Sequence, residues 1–338
     1  MPPDSGAVEL SVVVPVYNEE LNIDYLFERL VSVLNRLNMK YEIVCVNDGS
    51  RDNTIERLIE HHYQNPDIKV VNLSRNYGKE IALSAGLDYA NGAAVVPIDA
   101  DLQDPPELIE ELVAKWREGY DVVLATRRSR QGESWVKRFT ANAFYRTIDR
   151  ISHVPIPRDT GDFRLMDRRV VDAIKRLPER NRFMKGLFAW VGFKQTSVFY
   201  DRPSRYKGET TWNYWRLWNF AIDGITSFSF IPLKVWSYIG LLVAIPAFFY
   251  ASFLVLRTVV FGIDLPGYAS LMVAILFLGG VQLVSLGVLG EYLGRVYEEV
   301  KGRPLYLVRE AYGFNSTQAV RATVASAAEP GHSASRES

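Results

Sequence analysis

The sharpest chemical signal in the chain is Asp99-Ala100-Asp101, set directly behind the apolar run Ala94 to Ile98. A run of that kind reads as a buried strand, so both carboxylates leave its carboxyl end. Two hard oxygen ligands one residue apart can hold a divalent cation, Mg2+ or Mn2+, that also bridges a diphosphate. Such a cation neutralises charge on a departing diphosphate without any proton transfer. Gln103 adds a polar ligand close by. On its own a D-x-D triplet is most often a solvated loop; here it has company. The first strand runs into Pro15-Val16-Tyr17-Asn18-Glu19-Glu20, a turn that could set the Tyr17 ring and Glu19 around a base and ribose. The second ends in Val46-Asn47-Asp48-Gly49-Ser50, where Asp48 could accept from the N–H of a pyrimidine and Gly49 permits a tight turn. Each cluster alone is consistent with turn chemistry, but three of them at three strand ends point to one ligand site.

The elements that must position these residues alternate regularly. Leu10 to Pro15, Tyr41 to Asn47, Lys69 to Leu73, Ala94 to Ile98 and Asp121 to Ala125 read as strands. Between them Glu20 to Leu37, Asp52 to Tyr63, Lys79 to Tyr89 and Pro106 to Trp116 have helical spacing, with Asp52 and Asp104 as N-caps and Pro106 in a first turn. That alternation predicts an α/β fold, a mainly parallel sheet with helices on both faces, which binds ligands beyond the carboxyl ends of its strands. Further on, Gln131 to Arg150 reads as a helix, Thr160 to Met166 as a strand, then helices to about Trp190 and a strand from Gln195 to Tyr200.

Composition bounds the rest. The 338 residues carry a formal net charge of zero and one cysteine, Cys45. No global field marks the chain for nucleic acid, and no internal disulfide is possible, as suits a reducing compartment. Met1 to Leu10 lacks a basic region followed by an apolar run, so no cleavable signal peptide is expected. Val235 to Leu256 and Leu265 to Gly290 are uncharged apolar runs. Each exceeds the ~20 residues that cross a bilayer as a helix. Lys234, Arg216, Arg295, Lys301 and Arg303 flank their outer ends against Arg257 alone in the linker, which places both ends of a multi-pass hairpin on the cytoplasmic side of the membrane. Gly279, Gly280, Gly287 and Gly290 would let the second helix pack closely on a neighbour, and a homo-oligomer is one outcome. Thr211 to Phe230, with Trp212, Tyr214, Trp215, Trp218 and Arg216, reads as a helix in the membrane interface. The expected plan is a cytoplasmic catalytic domain over 1–208, an interface helix over 209–230 and two membrane helices within 231–298 (about 233–257 and 266–292). A cytoplasmic segment over 299–338 completes it, disordered from about 315. His61, His62, His153 and His332 show no metal-ligand spacing, and neither a phosphate-loop nor a G-x-G-x-x-G fingerprint occurs, which counts against kinase and dehydrogenase readings.

Taken in order, V-V-V-P-V-Y-N-E-E, V-N-D-G-S, D-A-D-L-Q-D-P-P-E and T-G-D-F-R resemble glycosyltransferase family 2 over roughly residues 9 to 312. More narrowly they look like polyprenyl-phosphate glycosyltransferases, the dolichol-phosphate-mannose synthases and especially the bacterial bactoprenol glucosyltransferases with two membrane helices. The resemblance implies a GT-A-type nucleotide-sugar domain and an inverting transfer from UDP-glucose to undecaprenyl phosphate for modification of cell-envelope glycans. Pro15, Tyr17, Glu19, Asp48, Asp99, Asp101 and Gln103 would then contact nucleotide or metal. The dolichol enzymes commonly read D-P-T-S-G-F-R where this chain has Asp159-Thr160-Gly161-Asp162-Phe163-Arg164, so the acceptor-side carboxylate is either Asp162, which is nearer the strand that should face the sugar, or Asp159. A lipid phosphate has a second pKa near ~6 and needs orientation and charge screening more than deprotonation. Arg127, Arg128 and Arg130, then Arg202, Arg205 and Lys207, are the candidate phosphate contacts, Arg127 on the donor side.

Two other functions fit an α/β domain on a membrane hairpin. A processive polysaccharide synthase would show a Q-x-x-R-W-type acceptor sequence, which this chain lacks, and two helices make a poor channel. A non-catalytic nucleotide-binding scaffold would have no use for intact Asp99, Asp101 and Asp162.

Overall fold

A computed structural model describes residues 7–128, 160–177, 179–180, 182, 184–201, 231–261 and 267–314. The expected helix at 131–150, the interface helix at 209–230 and the segment beyond 314 lie outside the described residues. So do Arg130, Asp159, Arg202, Arg205 and Lys207.

Strands β1 (Leu10–Val16), β2 (Tyr41–Asn47), β3 (Ile68–Leu73) and β4 (Ala94–Pro97) form the parallel centre of an eight-stranded sheet. Their side chains alternate between two cores. Leu10, Val12, Val14 and Val16 of β1 face one, and Val13 faces the other; Ile43 and Cys45 of β2 face the first, and Val44 and Val46 the second. A strand buried on both sides must be apolar at nearly every position, which is why these runs are continuous in the sequence. The first core is closed by α1 (Ile23–Arg36), α2 (Thr54–Gln64) and α4 (Leu108–Arg117) through residues such as Leu30, Leu58 and Ile109. The second is closed by α3 (Lys79–Tyr89), α5 (Arg168–Lys175) and α6 (Met184–Trp190) through Leu83, Val171 and Leu187. Cys45 is buried, and burial pushes its thiol up, in keeping with a packing role.

The remaining strands are β5 (Val122–Arg127), β6 (Thr160–Asp167), β7 (Gln195–Tyr200) and β8 (Val308–Tyr312), and the full order is β7-β5-β6-β4-β1-β2-β3-β8. The sheet is mainly parallel, as expected, but β6 runs antiparallel to β4 and β5, and β8 antiparallel to β3. The reversal of β6 brings the start of that strand to the carboxyl end of β4.

Three local expectations change. Helix α1 begins at Ile23 and α4 at Leu108, later than the periodicity alone suggested. Asp104 does not cap α4; its Oδ1 accepts from the Tyr200 hydroxyl at 2.6 Å. Nor is Asp52 the N-cap of α2: Asn53 holds that position, and Asp52 Oδ1 accepts from the Thr54 N–H at 3.2 Å. No strand was expected after the second apolar run, since Val308-Arg309-Glu310-Ala311-Tyr312 mixes charge with apolar residues. It forms an edge strand, exposed on one side, where charges are tolerated and help keep the edge from pairing with another chain.

The apolar runs form α7 (Ile231–Phe261) and α8 (Tyr268–Val300), which contact each other. Among the described residues, Phe277–Val300 is long and apolar enough to cross a membrane, with mean hydropathy 1.3 and none of it buried. On α7, Leu242, Phe248, Phe249 and Phe253 are exposed, a surface that water would penalise. Gly279, Gly280, Gly287 and Gly290 meet nothing among the described residues within 4 Å of a Cβ position. Helix α8 continues past Glu291 through an i,i+4 pair with Arg295 at 3.0 Å, and Glu299 Oε1 accepts from the Arg180 N–H at 2.7 Å. The chain then returns to the sheet. Tyr306, 1% exposed, donates to Asp88 Oδ2 at 2.9 Å, the Ser74 N–H donates to the Leu307 carbonyl at 2.9 Å, and β8 follows.

At the opposite end of the sheet, Glu42 is 1% exposed and accepts from Ser11 Oγ at 2.6 Å, Lys69 Nζ at 2.7 Å and the Asn91 N–H at 2.6 Å. Glu42→Ala strands all three donors and is expected to cost about 3 kcal/mol, read as a lowered denaturation midpoint. Tyr306→Phe removes one buried hydrogen bond and is expected to cost about 1 kcal/mol while speeding limited proteolysis between α8 and β8; unchanged cleavage there would remove Tyr306 as the anchor of that segment.

Candidate active site

The site grows from the carboxyl ends of β1, β2, β3 and β4. After β1, Tyr17 stands 42% exposed and Asn18 turns through φ 54. The Asn18 N–H donates to Ser50 Oγ at 3.0 Å, and the Arg51 N–H donates to Asn18 Oδ1 at 2.8 Å. The Glu19 N–H donates to Thr54 Oγ1 at 3.0 Å, and Glu19 Oε2 accepts from Asn22 at 2.6 Å. These bonds lace the loop after β1 to the loop after β2 as one wall, with the Tyr17 ring left open and Pro15 inside β1 opposite Val46.

Asp48 lies behind that wall, 2% exposed. Its Oδ1 accepts from the Tyr77 N–H at 2.7 Å and its Oδ2 from the Gly78 N–H at 2.9 Å. Burial raises its pKa, against the pull of those two donors. Asp48 thus ties down the loop that opens α3, and only the second lone pair on each oxygen is left for a base. Gly49, at φ 65, passes so close to Arg75 and Asn76 that a Cβ there would sit 2.5 Å from the Arg75 carbonyl carbon. The first residue of α3, Lys79, is thereby fixed in place. Gly86 completes the arrangement: a Cβ there would come within 2.2 Å of Val13 Cγ1, so only glycine lets α3 lie this close to β1.

Lys79 reaches the centre of the site. Its ammonium lies 2.7 Å from Asp99 Oδ1, 2.8 Å from Asp99 Oδ2 and 2.7 Å from Asp162 Oδ2. Burial lowers its pKa, but the charges of Asp99 and Asp162 outweigh that and hold it above the ordinary lysine value. The sheet register explains the meeting. Ala94 pairs with Asp167 and Val95 with Met166, so the same antiparallel register continued past Pro97 sets Asp99 opposite Asp162. Asp162 is also backed by Arg164, which is fully buried, stacks on the Phe188 ring at 4.2 Å and donates to the Gly161 carbonyl at 2.7 Å. Burial pushes the Arg164 pKa down to about 10, against Asp162 and Glu80, whose charges favour the cation.

On the other side, Tyr200 donates to Asp104, and burial, with Asp104, pushes its hydroxyl up to about 12. Arg127 stands beside it at the end of β5; burial works against its charge, and Tyr200, Asp104 and Asp99 sustain it. Its Nε is buried and has no hydrogen-bond partner among the described residues. Arg128 is exposed, with its N–H on the Tyr200 carbonyl at 3.0 Å. The Gln103 N–H donates to Asp101 Oδ1 at 3.2 Å across a turn in which Leu102 adopts φ 60.

The donor set fits a divalent cation only with help. Among the described residues, no three His, Cys, Asp or Glu side chains converge into a cage. Asp99 nevertheless already presents both oxygens to a cation, the Lys79 ammonium, and Asp101 follows just beyond Ala100. Two carboxylates of this kind suit a hard cation whose remaining ligands are diphosphate oxygens and water. Of the residues expected to act, the structure gathers Asp99, Asp162 and Arg127, sets Asp101 and Gln103 in the adjoining turn, and leaves Asp48 as a brace. Lys79, Arg164, Tyr200 and Asp104 were not anticipated. Lys79 had a signal in Asn76-Tyr77-Gly78-Lys79, a fourth polar cluster behind a buried strand.

Comparison with known proteins agrees with this geometry. Residues 11–175 match the glycosyl transferase family 2 model, and residues 231–296 match the GtrB C-terminal hairpin. The chain is 68% identical over 306 residues to an uncharacterized glycosyltransferase of Synechocystis, covering 90% of this chain and 96% of that one. It is 48% identical over 308 residues to the bactoprenol glucosyl transferase of Shigella phage SfII, covering 91% and 100%. It is also 48% identical over 302 residues to a prophage bactoprenol glucosyl transferase homolog of Escherichia coli, covering 89% and 99%. A strand-end site of paired carboxylates on a mainly parallel sheet, followed by an apolar helix pair, is therefore accounted for by descent: the chain belongs to glycosyltransferase family 2 and carries the hairpin of its GtrB-type members.

Proposed function

We propose that this chain is an inverting glucosyltransferase that moves glucose from UDP-glucose to a polyprenyl phosphate, undecaprenyl phosphate, at the cytoplasmic face of the cell membrane. The observation that carries the reading is the meeting of Asp99 and Asp162 on one ammonium. A donor-side carboxylate and an acceptor-side carboxylate then share a single mouth, where a sugar can be approached from the side opposite its leaving group. The bactoprenol glucosyl transferases among the relatives supply the substrate class.

In this reading the Tyr17 ring and the laced loops after β1 and β2 receive the uridine. Asp99, Asp101 and Gln103 would hold a divalent cation, Mg2+ or Mn2+, which when bound screens the charge of the departing diphosphate. Arg127, whose guanidinium stands beside Tyr200, Asp104 and Asp99, is assigned to the same diphosphate. An oxygen of the lipid phosphate forms a bond to the anomeric carbon as the bond from that carbon to UDP breaks, leaving inverted glucosyl phospholipid and UDP. The acceptor is already a dianion near neutral pH, so Asp162 orients it and faces the positive charge developing on the sugar. Arg128 extends the cationic rim toward the acceptor, with Arg202, Arg205 and Lys207 assigned there by sequence alone.

The hairpin is read as two membrane-spanning helices with both outer ends cytoplasmic. Basic residues on the outer flanks support this. So does the short return of the chain from α8 to β8, which keeps the end of that helix beside the catalytic sheet.

The test is transfer of labelled sugar from UDP-glucose to undecaprenyl phosphate in detergent, beside UDP-galactose and GDP-mannose. Glycolipid should form with UDP-glucose and be lost in EDTA. Asp101→Ala and Asp162→Asn should each lower turnover by about 10²-fold, the scale for removing an aligned electrostatic contact. Transfer from UDP-glucose that is indifferent to EDTA, or full activity in Asp162→Asn, would sink the assignment. Arg127→Ala is expected to raise KM for UDP-glucose about tenfold without changing that for the lipid; the reverse pattern would move Arg127 to the acceptor.

A further inference from the structure

Lys79 is placed where a cation is ordinarily unwelcome. As the first residue of α3 it stands at the positive end of the helix dipole, which favours anions. What holds it there is specific: Asp48 ties down the two preceding N–H groups, Gly86 seats the helix against Val13, and two carboxylates accept the ammonium. Asp99 gives it both oxygens, the same face that a divalent cation would need. One carboxylate cannot serve both cations at full strength.

We infer that Lys79 is a resident counter-charge that competes with the divalent cation for Asp99 and, once displaced, serves as a positioning residue between Asp162 and an incoming phosphate. Without nucleotide, metal must evict the ammonium from Asp99 and leave it next to a second positive charge, so metal alone binds weakly. With a nucleoside diphosphate present, the displaced ammonium gains an anionic partner while remaining on Asp162. Metal and nucleotide thus strengthen each other's binding through a residue of the chain itself, and the coupling is reciprocal. The site resists loading with metal alone and favours the complete donor complex.

The inference rests on the reading that Asp99 ligates the cation, and the test separates the two. Mn2+ binding to the purified full-length protein in detergent is followed by the electron paramagnetic resonance signal of free Mn2+, with and without UDP. Lys79→Met should bind Mn2+ alone about fivefold more tightly than the natural protein, and UDP should enhance that binding about fivefold less. Lys79→Arg retains the positive charge and should bind Mn2+ alone no more than about twofold more tightly than the natural protein. A Lys79 with only a structural role would predict the opposite, weaker binding of Mn2+ in Lys79→Met. Equal or weaker binding there, or an undiminished UDP effect, overturns the proposal. If Lys79→Met does not fold, Lys79→Arg decides, since Mn2+ binding tightened beyond twofold with the charge retained is equally fatal. Asp99→Asn should abolish the tight component; if Mn2+ binding is untouched there, the metal reading falls and the Lys79 proposal with it.

Discussion

Two carboxylates that face each other across a sheet repel, and the candidate site of this protein depends on a cation set between them. Asp99 comes from the end of β4 and Asp162 from the start of β6, and the antiparallel register of those strands brings them together. Had β6 been parallel, Asp162 would lie at the far end of the sheet. The Lys79 ammonium makes the meeting tolerable, and its own position traces back through Gly78, Asp48 and the packing of α3 on β1. Backbone reversal, helix placement and side-chain charge therefore converge on one nitrogen atom.

The same economy links the site to the membrane-facing part of the chain. Helix α3 carries Lys79 at one end and Asp88 near the other, and Asp88 receives the Tyr306 hydroxyl just after α8. Burial raises the Asp88 pKa, with Lys175, Tyr306 and Arg182 opposing it, so this carboxylate too depends on surrounding donors and cations. The Arg180 N–H reaches Glu299 on α8 itself. In the proposed reaction, an enzyme acting on a lipid-borne phosphate would have to keep its reactive mouth at a defined distance from the bilayer. A helix whose end is bound to the catalytic sheet by a buried tyrosine and an added strand meets that requirement without a rigid linker.

Much of the frame was legible in the sequence because burial on both faces leaves little freedom. The apolar runs of β1, β2 and β4 can be little else, and the polar clusters behind them mark the ligand edge. Legibility fails where the deciding contact is distant in sequence. The charged segment Val308–Tyr312 has no strand periodicity of its own and becomes a strand only against β3. Asp104 has the residue type of a helix cap, yet Tyr200, 96 residues away, claims it. Asp48 was legible as a candidate for a base because its type and turn suit that role, but not as the brace of the next loop, whose two backbone donors its carboxylate accepts. Lys79 was passed over for a related reason: its place behind β3 was a signal, but a lysine opening a helix reads as solvated until the register of β6, far along the chain, supplies its second partner.

The chemistry explains why so many charges are gathered. If donor and acceptor are both phosphates, the enzyme must bring like charges together in a mouth that already contains three carboxylates, Asp99, Asp101 and Asp162. Neutral hydrogen-bond donors cannot balance that sum; cations must. Arg127 and Lys79 are fixed parts of the fold, held by Tyr200 with Asp104 and by the two carboxylates respectively. Fixed cations alone would bind both phosphates and both products equally well, which lowers KM without raising turnover. In the proposed reaction, a cation bound together with the donor would differ, because its attraction grows as the diphosphate gains charge. Lysine is suited to share a carboxylate with such a visitor. Its ammonium is a point charge on a flexible stem and can shift between partners, where the planar fork of an arginine would hold one carboxylate in a fixed two-point grip.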